Sequence, residues 1–298
     1  MQMMPCKNRL ALFLAALSLA KGALADTPFP AVHSGDVFVI AQVTTPTGAM
    51  HDYFAPGDKV VFRAYAVDGK SHQILVAKDV KYFYVTIPNQ PNVKLAYDAK
   101  APAASGEYAW VGTWTVPSTY PTGTVAFKVL IQSKTKRRGS FVQMPVPSSM
   151  LTISTTPPSA AVAGPGGAAS PTGQVTTAVF ADSVNGTRPA AAAARPIGCT
   201  QTNVFKRGEQ FVLRTWGFDF ATGAVLSLDN VSEAHFTVPG VPKVTLNWGS
   251  HGTAKVFFWT NAWQIPADYA LGSTTVQIVF TLTSGKTAVL DYPIVITP

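Results

Sequence analysis

Residues 56–69 read Pro56-Gly57-Asp58-Lys59-Val60-Val61-Phe62-Arg63-Ala64-Tyr65-Ala66-Val67-Asp68-Gly69. Pro-Gly-Asp opens the stretch and Asp-Gly closes it. The residues between are rich in β-branched and aromatic side chains, which makes this a strand held between two turns. The stretch then returns. Phe54, Gly57, Asp58, Val61, Arg63, Tyr65 and Asp68 recur as Phe205, Gly208, Glu209, Val212, Arg214, Trp216 and Asp219, a constant 151 positions later. The same offset carries Val80, Thr86, Pro88, Pro91, Val93 and Leu95 onto Val231, Thr237, Pro239, Pro242, Val244 and Leu246. An offset of 149 then pairs Trp110, Trp114, Pro117, Tyr120 and Gly123 with Trp259, Trp263, Pro266, Tyr269 and Gly272. The chain is an internal duplication, so whatever one copy folds into, the other repeats.

Outward from that strand the alternation continues. Thr124–Ile131 follows Pro121-Thr122-Gly123 as a second strand, and Phe211–Phe218 and Thr274–Leu282 are the matching strands of the second copy. Proline and glycine, 23 of each, punctuate the chain, and no stretch after the N-terminus sustains a helical period with caps. Short strands at regular spacing with turn chemistry between them predict an all-β fold, two tandem β-sandwiches. Residues 26–154 form the first domain and 175–298 the second. The uncharged Pro/Gly/Ala-rich run 155–174 between them reads as a linker. The alanine run 190–194, flanked by Arg-Pro on both sides, reads as a loop.

The pattern resembles the immunoglobulin-like (Ig-like) modules of exported bacterial proteins. A Gly-Asp opens a strand (Gly57-Asp58; Gly208-Glu209), and a Trp-x-x-Pro-x-x-Tyr-x-x-Gly segment leads into a late strand. That segment is Trp114, Pro117, Tyr120 and Gly123 here, and Trp263, Pro266, Tyr269 and Gly272 in the second copy. The resemblance implies antiparallel Ig-like sandwiches without the paired core cysteines of antibody domains.

The first 25 residues stand apart. Lys7 and Arg9 precede the apolar run Leu10–Ala20, and Ala23-Leu24-Ala25 places small residues before Asp26, the pattern of a cleaved secretory signal. The apolar run is short for a bilayer span, and no transmembrane segment is expected in the mature chain. These features predict a periplasmic or extracellular protein. Cleavage removes Lys7, Arg9 and Lys21, so the formal net charge falls from +8 to +5. The basic residues are scattered apart from Lys134, Lys136, Arg137 and Arg138, which sit where a hairpin turn is expected. No continuous basic stripe exists for nucleic acid. Cys6 leaves with the signal, and Cys199 alone cannot close an intramolecular disulfide.

Catalytic signatures are missing: no nucleophile elbow, phosphate-binding loop, Cys-x-x-Cys or His-Glu-x-x-His occurs. A non-enzymatic chain with no cofactor is therefore expected. The histidines do not repeat with the fold, and Met50-His51 lacks a partner motif for copper, so no metal site is predicted. The aromatic residues attract more interest. Val61, Arg63, Tyr65 and Val67 share one face of their strand, and Val212, Arg214, Trp216 and Phe218 repeat that face more closely than the other. An Arg resists burial without a partner, which predicts that this face reaches water. Arg63, Tyr65, Trp110, Arg214, Trp216 and Trp259 are accordingly the candidate binding residues, for an envelope protein or a polysaccharide. The competing expectations are that the tryptophans are core, as one Trp usually is in an Ig-like sandwich, and that each Arg pairs with a carboxylate on the neighbouring strand and covers its ring. As a whole the sequence predicts an exported binding protein, with an accessory subunit or metal chaperone of a periplasmic oxidoreductase as the alternative.

Overall fold

The computed structural model describes residues 37–98, 110–142, 150–156, 176–186, 200–251 and 256–298. The expected signal sequence, most of the expected linker, the alanine run and Cys199 lie outside the described residues. Every regular element among the described residues is a β-strand.

The first copy contributes β1 (Val37–Thr44), β2 (Tyr53–Phe54), β3 (Lys59–Asp68), β4 (Val80–Thr86), β5 (Val93–Lys94) and β6 (Ala96–Tyr97). It continues with β7 (Trp110–Thr115), β8 (Gly123–Thr124), β9 (Lys128–Ser133), β10 (Arg138–Val142) and β11 (Thr152–Ile153). Sheet β1-β3-β7-β6 faces sheet β10-β9-β4-β5, and β2-β11-β8 closes one end. Between the two main sheets lie Val39, Phe62, Ala64, Phe83, Val85, Val129, Ile131 and Phe141.

The second copy contributes β12 (Thr177–Asn185), β13 (Thr200–Gln201), β14 (Val204–Lys206), β15 (Gln210–Asp219), β16 (Ala224–Val225) and β17 (Val231–Thr237). The remainder is β18 (Val244–Thr245), β19 (Asn247–His251), β20 (Val256–Gln264), β21 (Gly272–Leu282) and β22 (Thr287–Thr297). Its sheets run β13-β12-β15-β20-β19 and β14-β22-β21-β17-β18. In both copies a first, second, fifth and fourth strand form one sheet, and the third, sixth and seventh form the other. That is the order of an Ig-like sandwich.

The repeated residues make repeated bonds. Trp110 Nε1 donates to the Leu75 carbonyl at 3.0 Å, and Trp259 Nε1 to that of Leu226 at 2.6 Å. The Tyr120 hydroxyl donates to the Pro88 carbonyl and that of Tyr269 to Pro239, each ring lying 5.0 Å edge-on from Trp114 or Trp263. Gly57 and Gly208 take φ of 94° and 81°, where any side chain is strained, and their N–H groups donate to Val116 and Ile265. One expected strand is interrupted: 124–131 splits into β8 and β9. Val125 N–H bonds to the Leu151 carbonyl and Phe127 N–H to that of Val125, a tight turn that kinks the chain. The equivalent β21 runs unbroken.

No described strand of one copy joins a sheet of the other, yet β1 and β12 are buried along their whole lengths. A strand covered on both faces lies between two packed layers. Phe38, Ile40, Tyr65 and Val67 of the first copy share one apolar cluster with Phe180, Trp216 and Phe218 of the second. The two sandwiches therefore stack through their β1-β3 and β12-β15 sheets, leaving β10-β9-β4-β5 and β22-β21-β17 as outer layers.

Candidate binding face

The face expected to reach water is the seam. Tyr65 and Trp216 are each 1% exposed and Arg214 is 4% exposed, while Arg63 is half-buried at the seam's edge. The burial of Arg214 follows from its partner. Asp182, directly opposite on β12, accepts from Nε at 2.6 Å and from an Nη at 2.8 Å, a bidentate pair. The carboxylate-paired alternative is what the structure contains in the second copy. In the first copy Gln42 occupies the matching place opposite Arg63 and donates instead to the Ala181 carbonyl across the seam, while Arg63 Nε donates to Thr44 Oγ1. Tyr65 donates across the seam to the Val179 carbonyl, and Phe38 meets the Phe218 ring edge-on at 4.8 Å. Trp110 and Trp259, also expected to reach a partner, are core residues of their own sandwiches, 6% and 3% exposed. As an open platform, the predicted set is therefore corrected. Packing did select the Arg and aromatic set, but the packing is of one copy against the other.

The seam is reciprocal. Met50 N–H donates to Asn203 Oδ1 at 2.9 Å, while the Gln201 N–H faces the Asp52 carboxyl. Positions 50 and 52 correspond to 201 and 203, so the same two positions of each copy meet across the boundary, as in an isologous dimer. Met50 Sδ accepts from the Tyr292 hydroxyl at 2.9 Å, and His51 packs on Phe54. Among the described residues no three His, Cys, Asp or Glu side chains gather as a metal site.

Asp52 is fully buried, and neither carboxyl oxygen closes a hydrogen bond of ordinary geometry. Burial pushes its pKa up to about 8. Its own N–H, that of Gln201 and the Arg214 charge pull the other way, and the Asp182 charge adds to the rise. Asp52 is sealed at the seam and reaches no substrate.

The outer layers differ between copies. On the solvent side of β4, β9 and β10 lie Tyr82 and Tyr84, half-buried, with ring centroids 5.4 Å apart. Around them stand exposed Lys94, opposite Tyr84, Lys128, opposite Thr86, and Arg138, opposite Gln132. The strands β4, β5, β9 and β10 carry Lys81, Lys94, Lys128 and Arg138 and no carboxylate. The turn after β9 sends Arg137 away from this face to pair with Asp68. In the second copy Tyr82, Tyr84, Lys94 and Lys128 become Glu233, His235, Thr245 and Gln277. There Glu233 is tied to Lys243, and His235 Nδ1 lies 3.2 Å from its carboxylate.

No protein-family model matches the chain, and no curated protein does. Among solved structures it is similar to the fibronectin(III)-like modules of Clostridium thermocellum CbhA, at 10% identity over 87% of this chain and 94% of that one, TM-score 0.23. It is similar also to the Bacteroides ovatus mixed-linkage glucan utilization locus SGBP-B in complex with mixed-linkage heptasaccharide, at 10% identity over 83% of this chain and 43% of that one, TM-score 0.18. A third is BcpA, the major pilin subunit of Bacillus cereus, at 11% identity over 87% and 66%, TM-score 0.20. Likenesses this shallow carry no argument about site or partner.

Proposed function

We propose that the chain is an exported, non-enzymatic binding protein of two tandem Ig-like sandwiches, and that the outer β4-β9-β10 face of the first carries the partner site. The partner is an envelope protein or a surface polymer. One observation carries this reading: the outer faces of the two copies differ in kind, the first carrying rings and cations unpaired among the described residues where the second carries Glu233, His235, Thr245 and Gln277. The first copy's open face gathers two tyrosines and three cations that the second lacks. Export rests on the signal pattern of residues 1–25, and the boundary between the domains on the run 155–174. None of the described residues forms a helix long and apolar enough to cross a membrane.

Co-sedimentation of the full chain with an envelope fraction tests the assignment. Replacing Tyr82, Tyr84 and Arg138 together by Ala should release the protein, whereas Glu233→Ala with His235→Ala should not. Equal retention of the two variants would place the site elsewhere.

A further inference from the structure

We infer that the occupant of the β4-β9-β10 face is an anionic polysaccharide, a chain of pyranose rings bearing carboxylates. This deepens the reading above and rests on it. The face offers two kinds of group in one plane. Tyr82 and Tyr84 supply adjacent rings whose apolar surface suits the C–H face of a sugar, and each phenol keeps its hydroxyl for a sugar oxygen. Lys128 and Arg138 stand on β9 and β10, with Lys94 beside Tyr84 across β5. Among the described residues, none of these three cations has a carboxylate partner, unlike Arg137, Arg214 and Lys243. An unneutralised set of cations with no acid among them favours a polyanion.

The layout argues against an acidic polypeptide. A peptide that added a strand would pair along an edge, β10 or β5, whereas both tyrosines and Lys128 stand on the interior strands β4 and β9, with only Arg138 and Lys94 at the edges. A polysaccharide needs no backbone ladder, only rings to lie on and charges at its sides. The face spans four strands about 4.8 Å apart, a width of roughly 14 Å that accommodates one sugar chain rather than a folded partner's standard interface.

The test uses the full chain, with polygalacturonate as the anionic polysaccharide, dextran as the neutral one and polyglutamate as the acidic polypeptide, at 50 and 300 mM salt. Polygalacturonate should bind and the others should not, with affinity at least tenfold weaker at the higher salt. Lys128→Ala with Arg138→Ala should weaken binding tenfold or more and flatten the salt dependence. Tyr84→Ala should weaken it severalfold and leave the salt dependence intact. All are outer-face changes, so an unchanged thermal midpoint shows that each variant is folded. Polyglutamate bound as tightly as polygalacturonate, with the same variants losing it, would overturn the polysaccharide and leave the face as the binding site. Dextran bound equally would overturn the role of charge. Polygalacturonate binding untouched by every variant, or no binding of any polymer at 50 mM salt, would overturn the inference. In either of those two cases, release of the Tyr82, Tyr84 and Arg138 variant from the envelope fraction decides whether the broader reading survives.

Discussion

Asp52→Asn should make the protein more stable at neutral pH, and the gain should vanish in acid. The wild-type carboxyl is buried between the sandwiches with a pKa near 8, against 3.8 for the unburied group. Because the folded state holds the proton more tightly than the unfolded chain, the favourable contribution is complete below about pH 4. It is lost as pH rises toward 8. Each unit costs about 1.4 kcal/mol, so at pH 7 a shift of this size corresponds to about 4 kcal/mol. The nearby Arg214 and Asp182 charges act in opposite senses, and their bidentate pairing keeps them largely balanced. An Asn has the same shape and no proton to take up, though its amide remains a buried polar group. We therefore expect a gain of about 2–4 kcal/mol at pH 7, with little change at pH 4. Urea denaturation of both proteins at half-unit steps from pH 4 to pH 8.5 measures it. Parallel stability–pH curves for the two proteins would refute the reasoning, since Asp52 would then titrate normally and the seam would be wet.

Further expectations concern the seam and the repeated core. Trp216→Ala should cost about 3–5 kcal/mol in urea denaturation, as for a buried aromatic; a change below about 1 kcal/mol would return Trp216 to the surface. Asp182→Ala should cost about 3–5 kcal/mol by leaving Arg214 buried and unpaired, while Asp182→Leu combined with Arg214→Met should recover most of that loss. Trp110→Phe and Trp259→Phe should each lower stability by about 1–3 kcal/mol, because the Leu75 and Leu226 carbonyls lose the same donor; only one of them being sensitive would break the structural equivalence of the copies.

Much of the fold was legible because the duplication supplies its own alignment. The Trp114–Tyr120 and Trp263–Tyr269 pairs and the strands around Arg63 and Arg214 lie where the repeat puts them. Alternation assigned Arg63, Tyr65 and Val67 to one face, but a period of two cannot say what covers that face. The step from an Arg to solvent failed at Arg214, because Asp182 lies 32 positions away and only the β12–β15 register brings it opposite. Asp52 was overlooked for a related reason: its burial comes from segment 201–203 of the other copy, which local patterning does not reveal. The outer face did leave a trace. Tyr82 against Glu233, Tyr84 against His235 and Lys128 against Gln277 change ring and charge chemistry, where the buried changes in the same strands, such as Val85 against Phe236, stay apolar.

If the two sandwiches pack through their Arg and aromatic faces, Phe38 and Phe218 are energetically coupled. Their rings lie 4.8 Å apart, edge to face, and belong to different copies. A double-mutant cycle of Phe38→Ala and Phe218→Ala should return an interaction energy of about 0.5–1.5 kcal/mol. Strictly additive losses, with no coupling beyond error, would mean that the faces do not meet.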